Sequence, residues 1–411
     1  MPGTRYYELR LFDRTLVEFS ITDGSFSPEV FITDFDESAC GLMPCGLALT
    51  PDGLWNWLEI RSIPTNRKNA ARICKELGFE LGNLEALYRT SLGLSLTDSY
   101  WVVPRNFRGK FKNYNLFENP FSEAIGALAV LGEARGDDAS NLKGNTPELT
   151  TDGTLRKGWR IVGDKRVLYK GASEGFVPGE PVSEYIASLI AQDAGLDAVI
   201  YGIDTWQGEQ CSTCECFTSS NVSYVPFAVA TGIADLAGAL WWCAQLGENY
   251  FEAFCNMLAF DALLCNTDRH FTNFGILRES QTGAVLGLAP VFDNGRALFP
   301  NVAENSTEQF RLEAQLRTPS FGGVSFEEQL SHFMGEQQIQ FLKRIGQRGI
   351  VGNIEASGKR VAALDAFLRQ RAEELCRIPV VDHEELRERL TCAMEGRPMK
   401  NSNIIRLAMH D

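Results

Sequence analysis

An apolar helix candidate at residues 249–264 runs straight into the polar loop 266–273 (NTDRHFTN), and a short strand-like patch follows at 274–277. Apolar residues at helical spacing that stop on Asn, Thr and Asp put polar side chains at the exit of a buried rod. A second strand-like patch, 284–292, ends on Asp293-Asn294-Gly295, twenty residues beyond Asn273. Any fold for this chain has to accommodate that order: a long helix, a polar loop, a β patch and a second polar loop.

The rest of the 411 residues is long enough for two or three units of ordinary size. Residues 1–100 carry strand-like runs at 6–12 and 16–21 and helical spacing around 70–87, which predicts a small α/β unit. The stretch 105–119 reads as irregular, and its basic run 105–112 (RNFRGKFK) as a solvated loop. Strand-like runs at 159–162 and 165–170 flank Gly163-Asp164, a hairpin signal because glycine accepts the positive φ of the first turn position. Residues 180–195 form an amphipathic helix, with Pro181 suited to the first turn, Gly195 to the stop, and Val182, Ile186, Leu189 and Ile190 on one face. A strand at 209–217 follows. From about 226 the pattern turns helical, at 233–246, 249–264, 336–347 and 361–376. The expected fold is α+β and two-lobed, with units at 1–100, 101–225 (β-rich) and 226–411 (mostly helical).

Composition removes several functions. The net charge of −14 argues against broad binding of DNA or RNA, which relies on Lys and Arg to displace counterions from phosphates. No apolar run reaches the ~18–20 residues of a membrane span, and the first residues lack a signal-peptide layout, so a cytoplasmic protein is expected. The eleven cysteines are scattered, several within apolar helical runs, as suits a reducing compartment. Cys211, Cys214 and Cys216 (CSTCEC) could open a zinc site. No second ligand pair lies nearby, and reduced thiols on a strand are the expectation.

The residue pattern suits phosphoryl transfer, which needs a metal and a cation on the phosphates and a carboxylate at the attacking hydroxyl. Asp268 and Asn273 are five residues apart, the spacing at which a carboxylate can orient a hydroxyl while an amide oxygen takes Mg2+. The alternative is an Asp capping a turn. Asp293 ends a strand in Asp-x-Gly, which serves as a metal ligand or as an ordinary turn. Lys170 shares a strand face with Leu168 and could reach phosphates. Glu184, opposite the apolar stripe of the 180–195 helix, could steady it, or both charges could simply be exposed.

The runs CNTDRHFTNFGIL and APVFDNGRALF resemble the HipA-like kinase family and its compact bacterial serine/threonine kinase relatives. TTDGTLRKGWRI resembles that family's phosphate loop, VLYKG its ATP-binding strand and EPVSEYIAS the helix bearing the Lys-pairing Glu. The resemblance implies a two-lobed protein-kinase-like fold and an ATP- and Mg2+-dependent serine/threonine kinase. Asp268 would be its catalytic carboxylate, Asn273 and Asp293 metal ligands, Lys170 the phosphate lysine and Glu184 its partner. In the phosphate loop, Gly153 would admit backbone N–H groups to phosphate and Lys157 would add charge. Glu215 and Cys216 would offer backbone hydrogen bonds to adenine, and Phe217 apolar contact. Thr150, or the adjacent Thr151, would be the autophosphorylation site. A protein substrate, or the chain itself, and a small DNA-binding antitoxin-like partner are implied. Other readings remain: a nucleotide-binding regulatory or toxin–antitoxin component without turnover, and a kinase for a small-molecule or lipid acceptor. The loop reads Asp-Arg-His rather than His-Arg-Asp, so Arg269 and His270 receive no role. The G-x-G-x-x-G and Walker patterns are absent.

Overall fold

The computed structural model describes residues 3–22, 28–132, 145–173, 179–303, 306–350 and 358–396. The first unit is a twisted antiparallel sheet of β1 (Thr4–Leu11), β2 (Arg14–Thr22), β3 (Glu29–Phe35) and, after three helices, β4 (Tyr100–Pro104), in the order β3-β2-β1-β4. Alternate residues Tyr7, Leu9 and Leu11 of β1 are buried with Leu16, Phe19 and Ile21 of β2, the period-2 pattern of a half-covered sheet. They meet Leu54 and Leu58 of α1 (Pro51–Ile60), Ile73 of α2 (Ala70–Glu76) and Leu87 of α3 (Leu84–Ser91). The helical spacing expected around 70–87 is thus two helices. Gly78 and Gly82, at φ +85° and +90°, turn the chain between them, and Asn83 caps the second.

The β-rich lobe opens with α4 (Glu123–Leu131), which packs on β5 (Lys157–Val162). Gly163 at φ +66° makes the hairpin to β6 (Lys165–Gly171), with Val162 opposite Lys165. Next come α5 (Gly179–Ala194), β7 (Tyr201–Trp206) and β8 (Glu209–Glu215), completing a sheet of order β5-β6-β8-β7. Pro181 lies in the first turn of α5 and Gly195, φ +73°, follows its end. Val182, Ile186 and Ile190 of α5 face the core of the helical lobe. The opposite face lies against β6 and β8.

In the helical lobe, β9 (Val222–Pro226) and α6 (Phe227–Thr231) lead to α7 (Leu236–Leu246), capped by Asp235, and to α8 (Glu248–Leu264). Nearly every residue of α8 from Phe251 onward is buried, so it forms the axis of the lobe. Strands β10 (Gly275–Glu279) and β11 (Val285–Leu288) pair with β9 in the order β11-β10-β9. Helices α9 (Thr307–Gln315), α10 (Phe326–Ser331), α11 (Glu336–Arg348), α12 (Gly358–Leu375) and α13 (His383–Met394) complete the lobe. Among the described residues no helix is long and apolar enough to cross a membrane.

Candidate active site

The site lies where β6, α5 and the loops after α8 and β11 converge. Lys170, on β6, carries only 7% of its side-chain surface exposed. Its Nζ bonds to the Glu184 carboxylate and donates to Asp293 Oδ1 at 2.7 Å. Burial alone would favour the neutral amine, but the Asp293 and Glu184 charges outweigh it and hold Lys170 protonated well above its usual range. Glu184 is 1% exposed and also accepts from the Ser212 hydroxyl of β8. The exposed-charge alternative is therefore overturned. Residue 184 does lie away from the apolar stripe, as its helical position dictates, but the sheet covers that second face. Burial pushes the Glu184 pKa up, with Lys170 opposing and the second carboxylate, Asp293, adding to the rise.

Asp293 sits at φ +58°, a left-handed conformation that Asp tolerates better than most residues. Its N–H donates to the Tyr201 hydroxyl at 3.3 Å. Burial opposes its ionisation, but Lys170 and then Lys157 hold the carboxyl well below the ordinary range. Asp268 is about half exposed at its side chain, with His270 Nε2 3.9 Å away. Burial and then the Asp293 charge raise its pKa, while His270 and Arg296 pull the other way. Asn273 donates from Nδ2 to the Asp268 carbonyl at 2.7 Å, and its Oδ1 has no protein partner among the described residues.

These oxygens suit a hard divalent cation. Asp268 and Asp293, near enough for the Asp293 charge to raise the Asp268 pKa, stand with an amide oxygen that no protein donor uses among the described residues. Among the described residues no set of three or more His, Cys, Asp or Glu side chains is arranged as a metal cluster, so a cation here would rely on the Asn273 amide and non-protein oxygens. The cysteine run forms no such centre. Cys211 packs with Tyr169 and Trp206, whereas Cys214 packs with Val199 and Tyr201, and all eleven thiols are free.

The segment 150–157 leads into β5, which brings Lys157 beside Lys170. Gly153 is at φ +89°, and a Cβ there would collide with Lys157 Nζ. The Gly153 N–H donates to the Asp152 carboxylate. Lys157 pairs with Lys170 across the β5–β6 ladder, and burial, then repulsion from Lys170, pushes its pKa down to about 8. The Thr150 hydroxyl donates to the Leu94 carbonyl at 2.7 Å, and the Thr151 hydroxyl donates to the Pro147 carbonyl at 2.8 Å. Both candidate acceptors are held inward. At the end of β8, Glu215 pairs with Lys165 at the surface, and the Cys216 N–H donates to the Arg166 carbonyl, so that N–H is already used within the sheet. Phe217 packs on Phe292 at 5.7 Å between ring centroids, linking the strand exit to the residue before Asp293.

Two arginines outside the expected set, Arg269 and Arg67, build this arrangement. Arg269 is 2% exposed and makes five hydrogen bonds, two to Asp261 and one each to the Asn273 carbonyl, the Phe292 carbonyl and Asn294 Oδ1. It therefore ties the loop after α8 to the loop carrying Asp293. Arg67, from the first unit, donates to the carbonyls of Glu148, Thr151 and Lys157 and pairs with the Glu148 carboxylate at 2.8 Å, with both side chains fully buried. Its position inside the NTDRHFTN motif was a signal for Arg269. Nothing local marks Arg67.

No family model matches this chain, and no curated protein does. Several solved structures are similar, two of them as follows. One is the Helicobacter pylori proinflammatory kinase CtkA, at TM-score 0.48 and 19% identity, over 59% of this chain and 94% of that one. The other is from the Shewanella oneidensis MR-1 toxin–antitoxin system, solved as HipA with HipB and operator DNA. It matches at TM-score 0.55 and 14% identity, over 93% of this chain and 99% of that one. At that identity the likeness speaks for architecture, and the chain has a HipA-like kinase fold: α+β and two-lobed, with a β-rich first lobe, a mostly helical second lobe and an additional α/β unit at the N-terminus.

Proposed function

We propose that the chain is an ATP-dependent phosphotransferase that phosphorylates a serine or threonine hydroxyl of a protein. The observation that carries this reading is the Lys170 ammonium, buried between Glu184 of one lobe and Asp293 of the other. One ammonium buried with two carboxylates leaves a negative charge in excess, which is costly in a buried site; a divalent cation at Asp293 would offset it, and the phosphate oxygens that the cation carries would meet the Lys170 ammonium. In this reading Lys170 and Lys157 hold phosphate oxygens, Gly153 lets the loop approach them, and Asn273 and Asp293 hold Mg2+, which would neutralise phosphate charge. The backbone of Glu215 and Cys216, with Phe217, would seat the adenine. Asp268 orients the acceptor hydroxyl, and its raised pKa suits it to take the proton. Thr150 or Thr151 would become an acceptor in the chain itself once its hydroxyl leaves the Leu94 or Pro147 carbonyl. The free thiols agree with the cytoplasm as its site of action.

The test incubates the protein with Mg2+ and ATP, alone and with a cell lysate, and reads intact mass and phosphosites. Wild type should gain phosphate on itself or on a lysate protein. Asp268→Asn should transfer ~10^2–10^4-fold more slowly, the usual worth of a positioned acid–base group, while still binding nucleotide. Equal phosphate gain by the two proteins would overturn the reading. A second reading, a regulatory component with a small DNA-binding partner, rests on the HipA neighbour, which was solved with HipB and operator DNA. Nucleotide binding without turnover, together with a small basic protein that co-purifies, would favour it. A small-molecule or lipid acceptor would appear as transfer to such an added acceptor, with no phosphate gained by any protein.

A further inference from the structure

A pocket of about 280 Å3 opens beside the 266–273 loop, lined by Thr267, Arg296, Asn301, Glu313, Leu316 and Arg317 among others. Thr267 adjoins Asp268 in the chain, and Arg296 is close enough for its charge to act on the Asp268 carboxyl against the larger effect of burial. The pocket therefore borders the place where an acceptor hydroxyl would sit.

Its electrostatics run against those of the whole protein. The chain carries a net charge of −14, yet two guanidinium groups and one carboxylate line this pocket. A third guanidinium, Arg360, stands near enough to repel Arg317. Arg296 already pairs with Glu180 at 3.3 Å. Arg317 differs: its Nη1 donates to the carbonyls of Cys265 and Arg296 at 3.1 and 2.8 Å, and its Nη2 to Asn301 Oδ1 at 3.0 Å. These partners are neutral, and among the described residues no carboxylate lies within ion-pair distance of Arg317. Glu313 is near enough for its charge to act favourably on Arg317 but makes no ion pair with it, accepting instead from Gln309 at 3.3 Å. Three of the five guanidinium hydrogens are thus engaged. Nε and one hydrogen of Nη2 remain without a protein acceptor among the described residues, on a guanidinium that lies over the Phe299 ring at 4.6 Å, so it can still donate to an oxyanion. At the rim Leu316 is 79% exposed, with Leu312 four residues earlier 49% exposed.

We propose that this pocket receives an acidic side chain of the protein substrate, close in sequence to the hydroxyl that is phosphorylated, while an apolar neighbour of that side chain rests on Leu312 and Leu316. This inference rests on the phosphotransfer reading. Charge complementarity argues for it: an acidic acceptor is repelled by most of this acidic surface and attracted at one place beside Asp268, which fixes its register. The exposed leucine pair extends the contact beyond the reach of a small acceptor. The oxyanion could be an Asp or Glu carboxylate or the phosphate of a residue already phosphorylated, and peptides separate these.

The experiment measures binding of labelled Ser-containing peptides to the full chain with Mg2+ and a non-hydrolysable ATP analogue, by fluorescence anisotropy. The peptides are identical except for flanking Asp/Glu, phosphoserine or Lys. Expected is at least ~10-fold tighter binding of the acidic or phosphorylated peptide than of the Lys peptide, the worth of one well-placed ion pair. The difference should collapse in Arg317→Gln. Because Arg317 also braces backbone carbonyls, Leu316→Asp, an exposed change, provides the second variant and should abolish the preference with nucleotide binding intact. Equal affinity for acidic and Lys peptides, or a preference that survives Leu316→Asp, overturns the proposal. Phosphate transfer is read separately with ATP: acidic-peptide binding without any transfer would sink the phosphotransfer reading and leave the pocket standing.

Discussion

Arg269 shows why this site requires particular residue types. Its five N–H groups reach a carboxylate, an amide oxygen and two carbonyls from separate segments, which a lysine with one ammonium could not do in a fixed plane. It thereby sets the distance between the loop carrying Asp268 and the loop carrying Asp293. Lys157 makes a different point at the same scale. Its pKa, pushed to about 8 by burial and by Lys170, lies below the ordinary lysine value. Folding therefore disfavours its protonated form: the penalty is absent above the ordinary value and fully felt below about 8, where the lysine is charged. The same charge should assist ATP. KM for ATP is expected to rise about tenfold as pH climbs through 8, the worth of one charge-assisted hydrogen bond, and Lys157→Arg should flatten that limb. An unchanged limb in the variant would mean that another group titrates.

At the scale of elements, the 150–157 segment takes its shape largely from outside itself. Lys68 donates its N–H to the Thr154 carbonyl, Leu94 accepts from Thr150, and Arg67 gathers three carbonyls along with Glu148. The first unit is in this sense a template for the loop. Replacing Arg67 by Met leaves the Glu148 carboxylate buried without its partner, a loss of about 3–5 kcal/mol. Denaturant unfolding should show that loss, and Arg67→Met/Glu148→Gln should recover part of it. Amide exchange across 150–157 should quicken in the single variant. Unaltered exchange there would show that the loop holds its own conformation.

Across the whole molecule, a second arginine joins the first unit to the helical lobe. Arg278 of β10 donates to the carbonyls of Gly41 and Met43 and to the Tyr100 hydroxyl. Through its own Arg67, which reaches the β-rich lobe, and through Arg278 of the helical lobe, the first unit contacts both lobes. Arg278→Ala should cost about 2–3 kcal/mol, a fair value for hydrogen bonds to a charged group. In calorimetry the first unit should then melt ahead of the lobes. A single transition, lowered but not split, would show that the units are coupled by their apolar contacts instead.

Neighbouring residues are enough to set the local elements and the order of the candidate residues along the chain. Helical spacing ending at Leu264, Gly163 at the hairpin turn and Pro181 with Gly195 around α5 are read from a few neighbouring residues, because caps, turns and amphipathic faces are short-range physics. Asp268, Asn273 and Asp293 stand out as candidates by their spacing, and Lys170 and Glu184 by their faces, with exposed charges an alternative for the latter two. What those side chains meet depends on the packed fold. The sheet laid over the polar face of α5 made Glu184 a buried partner of Lys170, residues 14 apart, and brought Lys170 to Asp293, 123 residues away. The same holds for Arg67 and Glu148, 81 residues apart, and for the guanidinium cluster around Arg317. A charge pattern along the chain does not reveal which charges share a low-dielectric interior, since their energies depend on burial and distance, and only the packed fold sets both.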